Sequence, residues 1–317
     1  MKKDNILVSK AASLSVAELF ETQAKNNPKA LALINAKGKK YNYNETLNRI
    51  LKLSKIFINK GIRPKNRIAI ISENRMEYVE IEMACAKVGA VLVAINWRLS
   101  DNEINYCINL VKPKLIVLSP RFKSKNKLSS IKNKKLISLN LSFEKLVTNS
   151  EPYLGKSLGG GEDILVILFT SGTTGYPKGA KISHRAFIYR ALYFVFEYNV
   201  DKKDTFPAWA PMFHMGGTEH SLSSLMIGSP VIICDGFDTE SLVAIIGKYH
   251  LGWLMLVPAT IEPLLDKLDQ SGTVVKGIRV AGSMPDLLPG EVISRTTKRL
   301  NAPFLNSFGS TETGFPP

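Results

Sequence analysis

The chain has 317 residues, 45% hydrophobic, 9% aromatic and 22% charged, which excludes a wholly disordered polypeptide and points to about two structural units. Lys and Arg number 42 against 27 Asp and Glu, a net charge of +15 that invites a polyanionic partner. The densest basic run, Arg121 to Lys135, carries the single aromatic Phe122; it lacks stacking positions for single-stranded bases and reads as a solvated loop.

The longest nearly apolar stretch, Met83 to Ile95, is interrupted by Lys87 and falls short of the ~20 residues of a membrane-spanning helix. The opening Met1-Lys2-Lys3-Asp4-Asn5 has no secretory apolar run behind it. Cys85, Cys107 and Cys234 form no CxxC pair, so buried, reduced thiols in a cytoplasmic protein are expected.

In chain order, Ser15 caps an amphipathic helix to Asn26, with Glu18 completing a capping box. Leu31 to Ile34 and Lys39 to Tyr43 form a hairpin around Lys37-Gly38. Asn44 caps a second helix with Leu47, Ile50, Leu51, Ser54 and Ile58 along one stripe, closed by Gly61. Arg67 to Ile71, Val91 to Ile95 and Leu115 to Leu118 are short apolar runs suited to buried parallel strands. They alternate with helical patterns at Glu77 to Val88 and Asp101 to Leu110, and Leu136 to Leu139 extends the sheet. A Pro- and Gly-rich connector covers 149–163, then Ile164 to Phe169 is a buried strand and Ser183 caps a helix to Tyr198. The second half repeats the rhythm. Strands are expected at Thr205 to Trp209, Pro230 to Cys234, Leu254 to Val257, Lys276 to Ala281 and Ala302 to Ser307. Helices fit His220 to Ile227, Thr239 to Tyr249 and Pro258 to Leu268. The pattern predicts two α/β sheets.

The segment Phe169-Thr170-Ser171-Gly172-Thr173-Thr174-Gly175-Tyr176-Pro177-Lys178-Gly179 carries the chemistry. Glycines let the backbone approach a ligand, hydroxyls add donors and Lys178 adds a positive charge, which together make a polyphosphate cradle. It departs from the GxxxxGK[ST] pattern, because Pro177 precedes the lysine and Gly179 follows it. Further on lie Pro211-Met212-Phe213-His214, Gly282-Ser283-Met284-Pro285 and Asn306-Ser307-Phe308-Gly309-Ser310-Thr311-Glu312. Taken alone, His214 reads as a packed, hydrogen-bonded residue, Phe308 as a core aromatic and Glu312 as an acid at a helix N-terminus. His184 fits a helix cap, His220 and His250 stand in no motif, and Trp97, Trp209 and Trp253 read as core aromatics.

In this order and spacing, the segments resemble the AMP-forming adenylating enzymes, the superfamily of acyl-CoA synthetases, luciferase-like ligases and peptide-synthetase adenylation domains. The resemblance covers residues 12–317. It implies an α/β fold: the two subdomains of an adenylate-forming N-terminal domain, at about 63–194 and at 12–62 plus 195–317. It further implies that Thr170, Ser171, Gly172, Thr173, Thr174, Gly175 and Lys178 hold the β- and γ-phosphates of ATP. Gly282, Ser283 and Met284 would contact adenine, with Phe308 stacking on it beside Gly309. Thr311 would bond the α-phosphate, Glu312 would ligate Mg²⁺, and His214 would gate the acyl pocket. His214, Lys178, Thr311 and Glu312 are thus the implied catalytic set. Phe213-His214 stands where amino-acid-activating members place an Asp, and Gly216, Gly217 and Ser224 are expected to leave room for an apolar acid. The implied reaction is ATP-dependent activation of a fatty or aromatic acid, with CoA as cosubstrate.

The chain departs from the family in ending at Pro317, five residues after Glu312. The expectation is a domain truncated before the barrel subdomain and the C-terminal lid, impaired alone unless a separately encoded lid is its partner. Two alternatives stay open: delivery to a carrier-protein thiol, and a non-catalytic nucleotide- or acyl-binding fragment. No nucleic-acid partner and no transmembrane segment is expected, while peripheral membrane contact stays open.

Overall fold

Residues 13–122, 128–132, 134–170, 176–283, 288–306 and 308–314 are described by the structure, a computed structural model. Helix α1 (Val16–Asn26) starts as expected: Ser15 Oγ accepts from Ala17 N, and the Glu18 carboxylate accepts from Ser15 N. Strands β1 (Leu31–Asn35) and β2 (Lys40–Asn42) pair antiparallel. Helix α2 (Tyr43–Asn59) begins two residues before the expected start. Asn42, not Asn44, caps it, its Oδ1 accepting from Glu45 N at 2.8 Å while Glu45 accepts from Asn42 N.

The next stretch builds one layer from β3 (Arg67–Ile71), α3 (Met76–Val88), β4 (Val91–Ile95), α4 (Asp101–Val111), β5 (Leu115–Leu118), β6 (Lys135–Ser138), α5 (Leu141–Thr148), β7 (Ile164–Thr170) and β8 (Lys178–Ser183). Its sheet runs β6-β5-β3-β4-β7-β8, parallel throughout except for the antiparallel β7–β8 pair. Ile68 to Ile71 and Val91 to Ile95 are all buried, as strands covered on both faces should be.

The rest of the chain supplies α6 (His184–Tyr198), β9 (Phe206–Ala208), α7 (Met215–Ile227), β10 (Val231–Ile233), α8 (Thr239–Lys248), β11 (Leu251–Leu256), α9 (Pro258–Ser271), β12 (Ile278–Ser283), α10 (Gly290–Leu300) and β13 (Phe304–Asn306). Two ladders result, β2-β1-β10-β9 and β11-β12-β13, so the described residues form three sheets where two were expected. A parallel bridge between Thr205 and Leu251 joins the last two ladders edge to edge. One apolar core, through Phe20, Tyr43, Leu53, Tyr78, Phe187 and Leu222, fills the space between the layers.

Strand β8 was not expected. Only Ala180 and Ile182 of its six residues are buried, and Lys178 and Lys181 face solvent, so it reads as a loop although it pairs along β7. Helix α7 starts at Met215, five residues before the expected His220, because His214 Nδ1 accepts from Gly216 N at 3.3 Å and caps it. Trp209 and Trp253 are buried, whereas Trp97 is half-buried with the guanidinium groups of Arg98 and Arg121 over its ring. The three cysteines are buried and free. The basic run lies partly outside the described residues, but Phe122, Leu128 and Ile131 within it are buried. No helix among the described residues is long and apolar enough to cross a membrane.

Candidate active site

The carboxyl ends of β7, β12 and β13 carry or precede the nucleotide-side residues that the sequence singles out, while His214 stands at the start of α7. Thr170 and Lys178 are cross-strand partners in the β7–β8 ladder, and Thr170 Oγ1 donates to the Lys178 carbonyl at 3.4 Å. The ends of the cradle segment are therefore clamped together, with the Lys178 side chain exposed. Ser171, Gly172, Thr173, Thr174 and Gly175 lie outside the described residues, as does Met284.

Gly282 and Ser283 are buried at the end of β12, where Ser283 pairs with Asn306 of β13. A Cβ at Gly282 would run into the Leu305 carbonyl and the Trp253 ring, so strand spacing alone accounts for this glycine. Beyond β13, Phe308 is 73% exposed and is no core aromatic. Ser310, Thr311, Glu312, Thr313 and Gly314 form a turn. Gly314 N donates to the Ser310 carbonyl at 2.8 Å, and the Ser310 and Thr313 hydroxyls lie 3.1 Å apart. The Glu312 side chain is exposed.

His214 keeps one edge in solvent. Protein on its other sides holds its pKa below the usual value. Because Nδ1 accepts from Gly216 N, Nε2 carries the hydrogen of the neutral ring. Among the described residues, the space directly beside Gly216 and Gly217 is filled. A Cβ at Gly216 would meet the Met255 sulfur, and one at Gly217 would meet the Ala210 and Pro211 carbonyls. Ser224 lines a cavity of about 20 Å³ beside Phe194, His220 and Trp253, enough for one water.

Three residues that sequence reasoning missed hold these segments. Asn74, at the carboxyl end of β3, donates from Nδ2 to the Ala208, Ala210 and Cys234 carbonyls at 3.1, 2.8 and 3.0 Å, and its Oδ1 accepts from Met212 N at 2.9 Å. It clips the first layer to the turn that ends in His214. Arg190 of α6 pairs with Glu219 of α7 and donates to the Thr311–Glu312 backbone. The available signal was a lone cation in the apolar run Phe187 to Phe194 and a lone acid in the small-residue run after His214.

The remaining histidines are structural. Ser183 caps α6, and His184 is its first residue, fully buried, with Nδ1 accepting from Val16 N at 3.2 Å. Burial lowers its pKa to about 4. His220 packs edge-on against Phe194. His250 pairs with Asp204 at 2.6 Å.

A model of the AMP-binding enzyme family matches residues 20–316. The chain belongs to the AMP-binding enzyme family. Among its relatives, indoleacetate–CoA ligase of Aromatoleum aromaticum is 25% identical over 80% of this chain and 51% of its own length. The 2-succinylbenzoate–CoA ligase of Listeria innocua is 26% identical over 93% of this chain and 60% of its own. ATP-bound MatB from Rhodopseudomonas palustris superposes with a TM-score of 0.83 at 23% identity, over 95% of this chain and 61% of that one, and shares the fold. The chain thus spans between half and three-fifths of the length of these family members.

Proposed function

We propose that this AMP-binding chain carries the nucleotide- and acid-binding face of an AMP-forming acid–CoA ligase acting on a fatty or aromatic acid. The observation that carries the reading is the Thr170–Lys178 pairing. It brings a glycine- and hydroxyl-rich segment together at the carboxyl end of a parallel sheet, where open α/β folds bind their ligands. The family match and the ligase names of the relatives support the same reading. In it, the β3–β8 layer is one subdomain, near 63–194, and the remaining strands are the other, 12–62 plus 195–317.

Thr170, Ser171 to Gly175 and Lys178 hold the terminal phosphates of ATP and offset the charge that leaves as pyrophosphate. Thr311 bonds the α-phosphate. Gly282, Ser283, Met284 and Gly309 border the adenine, and the exposed Phe308 ring stacks on it. His214 donates from Nε2 to an oxygen of the acid. One carboxylate oxygen bonds to the α-phosphorus as the bond to the β-phosphate oxygen breaks. The CoA thiol then gives its proton to solvent, its sulfur bonds the acyl carbon, and the bond from that carbon to the phosphate oxygen breaks to release AMP.

Glu312 would hold Mg²⁺, which when bound neutralises phosphate charge. The exposed carboxylate fits this role. Mg²⁺ in nucleotide sites takes one or two carboxylates plus substrate phosphates.

The test is titration of the full chain with Mg·ATP and with the sulfamoyl-adenosine analogues of indoleacetate and octanoate. Lys178→Ala is expected to weaken Mg·ATP by about 1–3 kcal/mol, the cost of a lost charge-assisted partner. At least one analogue should bind more tightly than Mg·ATP. Equal Mg·ATP affinity in wild type and variant would sink the assignment.

A further inference from the structure

Helix α6 is apolar along its buried face, through Phe187, Ala191 and Phe194, except at His184 in its first turn and at Arg190. The Arg190 side chain is 6% exposed and its partner Glu219, on α7, is 1% exposed. A guanidinium taken this far from water is strongly destabilising unless paired and fully hydrogen-bonded. Its Nη1 donates to Glu219 Oε2 at 2.7 Å. Its Nη2 donates to the Glu312 carbonyl at 2.8 Å and the Thr311 carbonyl at 3.4 Å. The planar fork thus grips a carboxylate with one nitrogen and the signature turn with the other, which the ammonium of a lysine cannot reproduce.

The turn is shaped to sit on this group. Gly314 has φ +69°, and a Cβ there would run into the Arg190 side chain. Its other recorded hydrogen bonds among the described residues are internal, between Ser310, Thr313 and Gly314. Glu219 in turn stands on a pinned helix. The preceding Thr218 hydroxyl bonds the buried Glu82 carboxyl of α3, and His214 caps the same helix.

We infer that Arg190 is a positioning residue for the turn that presents Thr311 and Glu312, held in register by Glu219 of the helix that His214 caps. One buried ion pair then sets the nucleotide side and the acid side of the site against each other. The inference rests on the reading of Thr311 and Glu312 given above.

The test compares ATP affinity with Mg²⁺ and with EDTA, by calorimetry on the full chain, alongside melting. The variants are Arg190→Lys, Glu219→Gln and the double variant Arg190→Met/Glu219→Met. The double variant guards against misfolding, because apolar residues of similar volume often replace a buried pair without loss of stability. The positioning role predicts that the gain in ATP affinity from Mg²⁺ falls about tenfold in Arg190→Lys and in the folded double variant. ATP affinity in EDTA should fall less than that in Mg²⁺, because only the Thr311 contact is disturbed there, and Glu219→Gln should fall between. Full Mg²⁺ gain in the folded double variant overturns the inference. So does an equal loss with and without Mg²⁺, which marks a general structural role. A wild-type chain that binds no Mg·ATP overturns the functional reading itself, and the inference with it.

Discussion

Asn74 shows how much one amide can organise. Its side chain joins backbone groups of Ala208, Ala210, Met212 and Cys234, all more than 130 positions away in the chain. Asn74→Ala would leave those carbonyls without their donor, and the expected loss is on the order of 2–3 kcal/mol. Urea unfolding should show the midpoint falling at constant slope; an unchanged midpoint would mean water replaces the amide. Asn74→Asp should be no better, since a carboxylate would face carbonyl oxygens. None of this was legible beforehand. The sequence presents Asn74 as a polar residue between a strand and a helix, and its partners are set by tertiary structure alone. Thr170 and Lys178, by contrast, stand in a local pattern that could be read directly, because a phosphate cradle is built from consecutive residues.

Elements were legible where their own pattern decides them. The Ser15–Glu18 box and the apolar runs of β3 and β4 are local or periodic features. The elements that escaped sequence reasoning bury too few residues for their pattern to stand out. Helix α10 is polar, buries only Thr296 and Leu300, and is tied to Asp269 through Arg295 and Arg299. Helix α5 has eight residues and buries two of them. The α3–α7 contact holds a buried acid that periodicity could not flag. Burial lifts the Glu82 carboxyl to about 8, against the opposing hydrogen bond from Thr218. Below about pH 4.5 the group is protonated in folded and unfolded chains alike, and its contribution to stability is fully present. As pH rises toward 8 the unfolded chain gains by ionising and that contribution is lost. Glu82→Gln stays neutral throughout. Its stability relative to wild type should therefore climb by about 1.4 kcal/mol per pH unit between pH 5 and 7.5. A pH-independent difference in melting would rule this out.

At the scale of the whole molecule, the two layers meet along the carboxyl ends of their strands. Asn74 and the Arg121–Asp235 ion pair cross between them at one end, and Arg190 ties α6 to α7 and the terminal turn at the other. A ligand that engages both layers should stabilise the folded chain by mass action, by about 2.7 kcal/mol at a concentration 100-fold above its Kd. For a chain of this length that corresponds to a melting shift of roughly 4 °C with Mg·ATP. Lys178→Ala should cut the shift at fixed ligand concentration. No shift at a saturating concentration of Mg·ATP would count against a site that draws on both layers.

Gly282 acts as a spacer of zero thickness. With nothing between β12 and its neighbours, β13 lies flush in the sheet, and the direction in which the chain leaves it toward Phe308 is inherited from that contact. Alanine at 282 would be a shim one methyl thick. It would tip the short outer strand, three residues long, while the longer β11–β12 ladder held its place. Because the tilt grows along the lever from Leu305 to Glu312, nucleotide affinity should suffer before the melting temperature does.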